Sequence, residues 1–194
     1  MKFTRNFTKP NLPIQDQIKW KKIESKITKA NGDVIFHMPE VEVPDHWSQQ
    51  ATNILAQKYF RKAGVPDQTS YRTVYNSETS LGEYKNIPQW LVPSVPKAGH
   101  ISEEINVKFG PETSAKQVFH RLAGAWTYWG WKEGIFKLPV DNNLHFDSVE
   151  KNAQIFYDEI YFMLAHQFAA PNSPQYFNTG LFWAYGIKGD PNGQ

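Results

Sequence analysis

Hydrophobic and polar positions alternate in two neighbouring segments near the start of the chain. These segments are Ile23–Ile27 and Val34–Met38. Alternation with a period of two is typical of β-strands that bury one face. The dipeptide Asn31-Gly32 lies between them and favours a tight turn, because both residues tolerate a positive φ. The pattern therefore predicts a β-hairpin, followed by a further short strand at Val41–Val43.

Three later segments place apolar residues three or four positions apart, the spacing typical of amphipathic helices. Asp45 can cap the first helix, Thr113 or Ser114 the second, and Asp147 with Glu150 can form a capping box for the third. The predicted apolar positions of the first helix are Trp47, Ala51, Ile54, Leu55 and Tyr59, and those of the second are Val118, Leu122, Ala125 or Trp126, and Trp129. In the third helix, one face is traced by Val149, Ala153, Phe156, Ile160, Met163, Leu164 and the polar Gln167.

The predicted elements divide the chain into four regions. Residues 1–43 form an extended arm and the hairpin, and residues 44–64 form the first helix. Residues 65–112 are rich in proline and lack a period, which favours an irregular excursion over a larger body, with Ile87–Leu91 docked. Residues 113–194 hold the two longer helices. We predict a mainly helical fold with a small N-terminal β-hairpin, and we expect too few elements to close a core.

Composition narrows the chemistry that the chain can perform. Its 194 residues include 21 basic and 19 acidic side chains, and the net charge of +2 does not indicate nucleic-acid binding. It contains no cysteine, which excludes disulfides, thiolate metal sites and a thiol nucleophile within these residues. Without a long apolar run or an apolar leader segment, we expect a cytoplasmic protein with no membrane partner.

Several polar side chains are candidates for chemistry. The six histidines lack the spacing of a zinc motif, so we predict no metal site. Lys116 and His120 lie four residues apart, next to Arg121, and would either meet a phosphate or form a solvated face. Asp158 and Glu159 are adjacent and point to different helix faces, so solvated charge is favoured over paired catalytic carboxylates.

Two further segments each permit a binding role and a purely structural one. The aromatic cluster Trp126–Trp131 can stack on a sugar, a base or a planar cofactor, whereas rings at helical spacing are more often core. The segment Asn172–Gly180 places short polar side chains beside glycine after a helix. Such a turn can bind an anion, or it can simply end the helix.

Nine short strings form an ordered pattern along the chain. They are Val43–Gln49, Ala56–Arg61, Ile87–Leu91, Glu112–Val118, Arg121–Gly130, Phe156–Glu159, Met163–Gln167, Ala170–Leu181 and Trp183–Ile187. In this order they resemble the N-terminal region of adenosylcobalamin-dependent (class II) ribonucleotide reductases. The resemblance extends over nearly the whole chain.

The resemblance implies a fold and a reaction. Catalytic subunits of this family continue into a ten-stranded α/β barrel, of which this chain would be the helical N-terminal portion. There, a thiyl radical generated with adenosylcobalamin abstracts the 3′-hydrogen of a ribonucleotide, and a cysteine pair reduces the 2′-carbon. Because this chain has no cysteine, the resemblance implies that it holds no catalytic residue. A partner chain would supply the cysteine-containing barrel and bind the adenosylcobalamin.

The resemblance also points to substrate-binding residues in the segment after the third helix. In related reductases the Ser or Thr before the proline of this turn contacts the ribonucleotide near its ribose and phosphates. By that match Ser173 contacts the substrate, a di- or triphosphate, and Asn172 and Gln175 assist it. The aromatic cluster would then serve mainly as core and interface.

Three hypotheses follow for the function. In the first, the chain is a fragment or split subunit of a vitamin B12-dependent ribonucleotide reductase and needs a partner chain for the catalytic cysteines. In the second, it is a stand-alone module that uses its aromatic residues, 15% of the chain, to bind sugar or single-stranded nucleic acid. In the third, it is an inactive remnant.

Overall fold

The computed structural model describes residues 1–66, 108–137 and 146–188. The predicted docking of Ile87–Leu91 and the Asp147 cap lie outside the described residues and side chains, as does most of the segment 65–112. The elements in chain order are β1 (Trp20–Thr28), β2 (Val34–Pro44), α1 (Gln49–Ile54), β3 (Val65–Pro66), β4 (Phe109–Gly110), α2 (Ala115–Lys132), α3 (Phe146–Ala165), α4 (Ser173–Asn178) and α5 (Leu181–Tyr185), with a 3-10 turn at Ile14–Gln17 and a π turn at Leu55–Tyr59.

The predicted hairpin is confirmed, although its turn is longer than two residues. Strands β1 and β2 pair antiparallel from Trp20 opposite Pro44 to Thr28 opposite Val34. Only Gly32 of the turn dipeptide has a positive φ, +91°. The expected separate strand at Val41–Val43 is the continuation of β2, which passes a register shift at Pro39. Proline is tolerated there because a bulge needs one ladder hydrogen bond fewer.

The first helix is shorter than residues 44–64, and its cap differs from the predicted one. Ser48 caps α1, because its hydroxyl accepts a hydrogen bond from the Ala51 amide at 3.1 Å. Asp45 instead lies in the preceding turn, where its amide donates to the Lys19 carbonyl. After Leu55–Tyr59 the buried Phe60 is extended, which ends the helical path.

Helices α2 and α3 form the centre of the molecule. The predicted cap of α2 is confirmed: Ser114 and Gln117 form a capping box. On α3 the fully buried face differs from the predicted stripe, because it runs through Tyr157 and Tyr161 while Phe156 is only half-buried. The ring of Phe3 covers Phe156 at a centroid distance of 5.0 Å, so the N-terminal arm packs on a second face of α3.

A continuous core joins the hairpin to the helices. Val41 and Val43 of β2 are fully buried, and the Trp47 indole donates to the Ala165 carbonyl at 2.7 Å. The expectation that the chain closes no core is therefore wrong for the described residues, and the fold class, mainly helical with an N-terminal hairpin, is confirmed. Among the helices of the described ranges, none combines the length and apolar character needed to cross a membrane.

Candidate functional site

The turn after α3 presents the predicted substrate residues at the surface. Asn172 is extended and precedes α4, and Pro174 lies in the first turn of this short helix. Asn172, Ser173 and Gln175 are all exposed. Their side chains differ in availability, because the Gln175 amide oxygen already accepts a hydrogen bond from the Thr179 hydroxyl. Their contact with a ribonucleotide remains a prediction.

Tyr59, for which the sequence predicts only a place on an apolar helix face, is a neighbour of this turn. Its hydroxyl lies 3.1 Å from the Ser173 hydroxyl. Its ring stacks on Tyr176 with a centroid distance of 4.7 Å and lies 5.3 Å from the ring of Phe177. The local sequence carries no signal for this pair, because the two hydroxyl groups lie 114 residues apart in the chain.

A fully buried ion pair lies behind the turn. The Arg121 Nε donates to Glu112 Oε1 at 2.8 Å, and both side chains have no exposed surface. The same guanidinium donates to the carbonyls of Thr179 at 3.0 Å and Tyr59 at 3.2 Å. It therefore ties the end of α4 and the end of the π turn to α2.

Glu112 has further partners that compensate its buried charge. Its Oε2 accepts from the Arg61 amide at 2.8 Å, and its Oε1 accepts from the Tyr185 hydroxyl at 2.7 Å. Burial, with the nearby Glu112 carboxylate, raises the pKa of Tyr185 far above its ordinary value, so this phenol remains a donor. The cluster satisfies its polar atoms internally and is structural.

The basic residues of α2 form neither a phosphate-binding face nor a solvated one. Besides the buried Arg121, the His120 ring is buried with Nδ1 2.8 Å from the Tyr157 hydroxyl. Lys116 forms an ion pair with Glu42 at 2.8 Å. Burial alone would raise the pKa of Glu42, but hydrogen bonds from Lys116 and Ser114 outweigh it and lower the value. Both interpretations from the sequence are therefore wrong for these residues.

Asp158 and Glu159 are buried, which corrects the expectation of solvated charge. Asp158 forms an ion pair of 2.6 Å with Arg5, yet burial raises the pKa of Asp158 above its ordinary value. The Glu159 carboxylate accepts hydrogen bonds from the amides of Asn6, Phe7 and Thr8 and from the Thr8 hydroxyl. These bonds outweigh burial and lower the pKa of Glu159. Both carboxylates therefore hold the N-terminal arm.

Replacing Glu159 by glutamine is expected to release this arm. A lowered pKa in the folded state means that the stabilisation is complete above the ordinary value of 4.5 and is lost as the pH falls through the folded value. At neutral pH we expect Glu159→Gln to lose about 1–3 kcal/mol, because the part-buried amides of Asn6 and Phe7 and the buried amide of Thr8 lose a charged acceptor. Amide hydrogen-exchange protection of residues 6–8, followed from pH 7 to pH 3, measures the loss.

The control for this variant is Glu133→Gln, which removes one charge at an exposed position. Asp158 has a raised pKa, so its linkage has the opposite sign and its protonation favours the folded state. The protection of residues 6–8 is measured against pH in the unmodified chain and in Glu159→Gln. The difference between the two profiles gives the contribution of the Glu159 carboxylate alone. Equal protection of residues 6–8 in both variants would contradict the assignment.

The aromatic cluster of α2 is divided between interior and surface. Trp126 and Tyr128 are half-buried and pack against the core, whereas Trp129 keeps 51% of its surface exposed. Trp129 was predicted to belong to the apolar stripe, and its exposure corrects that prediction. Since Thr127 and Gly130 are buried between these rings, the cluster mainly serves the core.

Within the described residues, the potential metal-ligating side chains do not gather into one cluster. The described residues contain no group of three or more histidine, cysteine, aspartate or glutamate side chains that could hold a metal ion. Each described histidine is engaged locally: His37 with Glu24, His46 with His166, and His120 with Tyr157.

Comparison with known proteins gives consistent matches. A family model described as class II vitamin B12-dependent ribonucleotide reductase matches residues 21–167. A vitamin B12-dependent ribonucleotide reductase of Agrobacterium fabrum is 43% identical over 194 residues, which cover 100% of this chain and 14% of the relative. The enzyme of the same name from Bradyrhizobium diazoefficiens is 46% identical over 170 residues, 87% of this chain and 12% of the relative.

A relative of lower sequence identity has the same name and is matched over a similar share of its length. The vitamin B12-dependent ribonucleotide reductase of Rhodopirellula baltica is 27% identical over 171 residues, which cover 88% of this chain and 11% of the relative. The chain thus spans about one seventh or less of the curated relatives it matches, in their N-terminal region. By the extent of these matches, the chain belongs to the class II vitamin B12-dependent ribonucleotide reductase family.

Proposed function

We propose that this chain is the N-terminal part of a reductase that converts ribonucleotides to deoxyribonucleotides in the cytoplasm. The cysteines of the reaction would lie on a barrel outside these 194 residues, supplied by a partner polypeptide. Adenosylcobalamin is a radical source when bound, and in this proposal the same barrel binds it. The family match supports the proposal, together with the absence of cysteine from the sequence.

The observation that carries the proposal is the exposed Ser173 hydroxyl on an otherwise anchored turn. It lies at the surface, 3.1 Å from the Tyr59 hydroxyl, while the buried Arg121 holds the far end of α4. A hydroxyl can both donate and accept, which suits the ribose hydroxyls and phosphate oxygens of a ribonucleotide. The role of this chain in the proposal is to bind and orient substrate.

Exposed aromatic residues beside the turn support a partner surface. Phe177 keeps 44% of its surface exposed and Phe182 keeps 67%. The two rings lie on the consecutive helices α4 and α5, and an exposed apolar patch is typical of a surface that another protein covers. In this proposal the barrel covers these rings, which would place the substrate between the barrel and Ser173.

Reconstitution tests the proposal directly. The Agrobacterium fabrum relative, lacking its matching N-terminal region, is co-expressed with this chain. We expect a stable complex and ribonucleotide reduction that depends on added adenosylcobalamin. Absence of both binding and activity in the mixture would contradict the proposal. Saturable quenching of tryptophan fluorescence by oligosaccharide or oligonucleotide would instead support a stand-alone binding module.

In the active mixture Ser173→Ala is expected to lower kcat/KM for the ribonucleotide by about 10- to 100-fold. A hydrogen bond to a charged group contributes about 1.5–3 kcal/mol, and each 1.4 kcal/mol is a factor of ten. Ser173→Thr keeps the hydroxyl and should retain most of the activity. Asn178→Ala, at an exposed position on the same helix, is the matched control. An equal loss in Asn178→Ala would contradict a specific contact at Ser173.

A further inference from the structure

We infer that Tyr59 is a positioning residue for the substrate contact at Ser173. This inference rests on the proposed function and names a residue that acts through Ser173 rather than on the substrate itself. It starts from the distance of 3.1 Å between the two hydroxyl oxygens. Either hydroxyl can donate in this pair. With Tyr59 as donor, the Ser173 hydrogen is available for a ligand oxygen.

The Tyr59 ring is fixed on the side of α4. It stacks on Tyr176 at an interplanar angle of 27° and a centroid distance of 4.7 Å, and it lies 5.3 Å from the ring of Phe177. Both contacts belong to α4, the helix that begins with Ser173. The tyrosine and the serine are therefore held against each other by ring packing as well as by the hydrogen bond.

One buried cation holds both the backbone of Tyr59 and the far end of α4, the helix that begins at Ser173. The Arg121 guanidinium donates to the carbonyl of Tyr59 at 3.2 Å and to the carbonyl of Thr179, at the end of α4, at 3.0 Å. The fork of a guanidinium is planar and rigid, so its two acceptors keep a constant separation. Glu112 neutralises the cation at 2.8 Å. Movement of the Tyr59 backbone relative to α4 would break a buried, charge-assisted bond.

This arrangement has the properties of a support for a binding group. A site residue is most effective when its own rotamer is held by packing and by hydrogen bonds from a rigid neighbour. Tyr59 supplies packing against α4 and a hydrogen bond to Ser173, and the two hydroxyl groups meet at the protein surface. The expected contribution is orientation of the Ser173 hydroxyl before the substrate arrives, which affects KM more than kcat.

The test is a double-mutant cycle in the complete reductase assembly, with Tyr59→Phe, Ser173→Ala and their combination. Phenylalanine keeps the stacked ring and removes only the hydroxyl. We expect Tyr59→Phe to raise KM about three- to tenfold with kcat within about twofold, and to have no further effect in the Ser173→Ala background. Tyr128→Phe makes the same change at a half-buried tyrosine of α2 and should leave both constants unchanged.

The outcomes separate this inference from the proposed function. Independent, multiplicative effects of Tyr59→Phe and Ser173→Ala would overturn the positioning role, as would a Tyr59→Phe enzyme with unmodified KM. In either case a loss in Ser173→Ala alone leaves the proposed substrate contact standing. If Ser173→Ala itself has no effect, the substrate contact is wrong and the positioning role is wrong with it. Thermal unfolding of each variant identifies a loss that arises from misfolding.

Discussion

Replacement of Arg121 by methionine is expected to lower the free energy of unfolding by about 3–5 kcal/mol, because it leaves a buried carboxylate without its cation. Arg121 and Glu112 are both fully buried, and their Nε–Oε1 distance is 2.8 Å. Methionine fills much of the volume but donates no hydrogen bond to the carbonyls of Tyr59 and Thr179. Urea unfolding followed by tryptophan fluorescence measures the change.

Two variants control the Arg121 experiment. Lys22→Met removes one partner of the exposed ion pair with Glu40 and should leave the stability unchanged within error. Arg121→Met combined with Glu112→Gln removes the second charge and should recover part of the loss. Recovery stays incomplete, because the two backbone carbonyls still lack their donor. Equal stability of Arg121→Met and Lys22→Met would show that the buried pair contributes nothing.

The second large effect is expected at Gly180, where an alanine should destabilise the chain by about 2–5 kcal/mol. Gly180 has a φ of +79°, and a Cβ built there would lie 2.1 Å from the Arg121 carbonyl oxygen. The contact with Arg121 cannot be relieved by moving a flexible side chain, because the obstacle is the backbone of α2. The close approach holds the junction of α4 and α5 against the helix that carries Arg121.

Gly32→Ala is the matched control for Gly180→Ala. Gly32 also has a positive φ, +91°, but a Cβ there would meet no atom within 4 Å. Its expected cost is therefore the conformational strain alone, about 1–2 kcal/mol. The difference between the two alanine variants measures the close approach at Gly180. Equal unfolding free energies for the two variants would show that the backbone of α2 moves to accommodate the added methyl group without a loss of stability.

The sequence predicts correctly those elements whose stabilising contacts join residues close together in the chain. The hairpin follows from alternation and the Asn31-Gly32 turn, and the start of α2 follows from Ser114, because strand pairing across a short turn and helix capping involve residues close in the chain. The predicted end of α1 at residue 64 is wrong, because the backbone there depends on a distant segment. The Arg61 amide donates to Glu112 and not to a carbonyl of the preceding helical turn.

Burial of charge was mispredicted wherever it depended on a distant segment. Asp158 and Glu159 have the pattern of solvated residues on a helix surface, and the arm that buries them lies 151 to 153 residues away. The Tyr157 hydroxyl that contacts the His120 ring also belongs to another helix, 37 residues further along the chain. Periodicity describes one helix at a time, so it cannot show which polar face a second segment will cover.

The sequence by itself determined the family, the absence of thiol chemistry from these residues, the local elements and the candidate turn at Ser173. Only the tertiary structure decided which groups support that turn. Tyr59 reaches Ser173 across 114 residues, and Arg121 reaches the Tyr59 carbonyl across 62. Spacing along a chain encodes contacts within a helix or a hairpin. Hydrogen bonds between distant segments exist only after the core has packed those segments together.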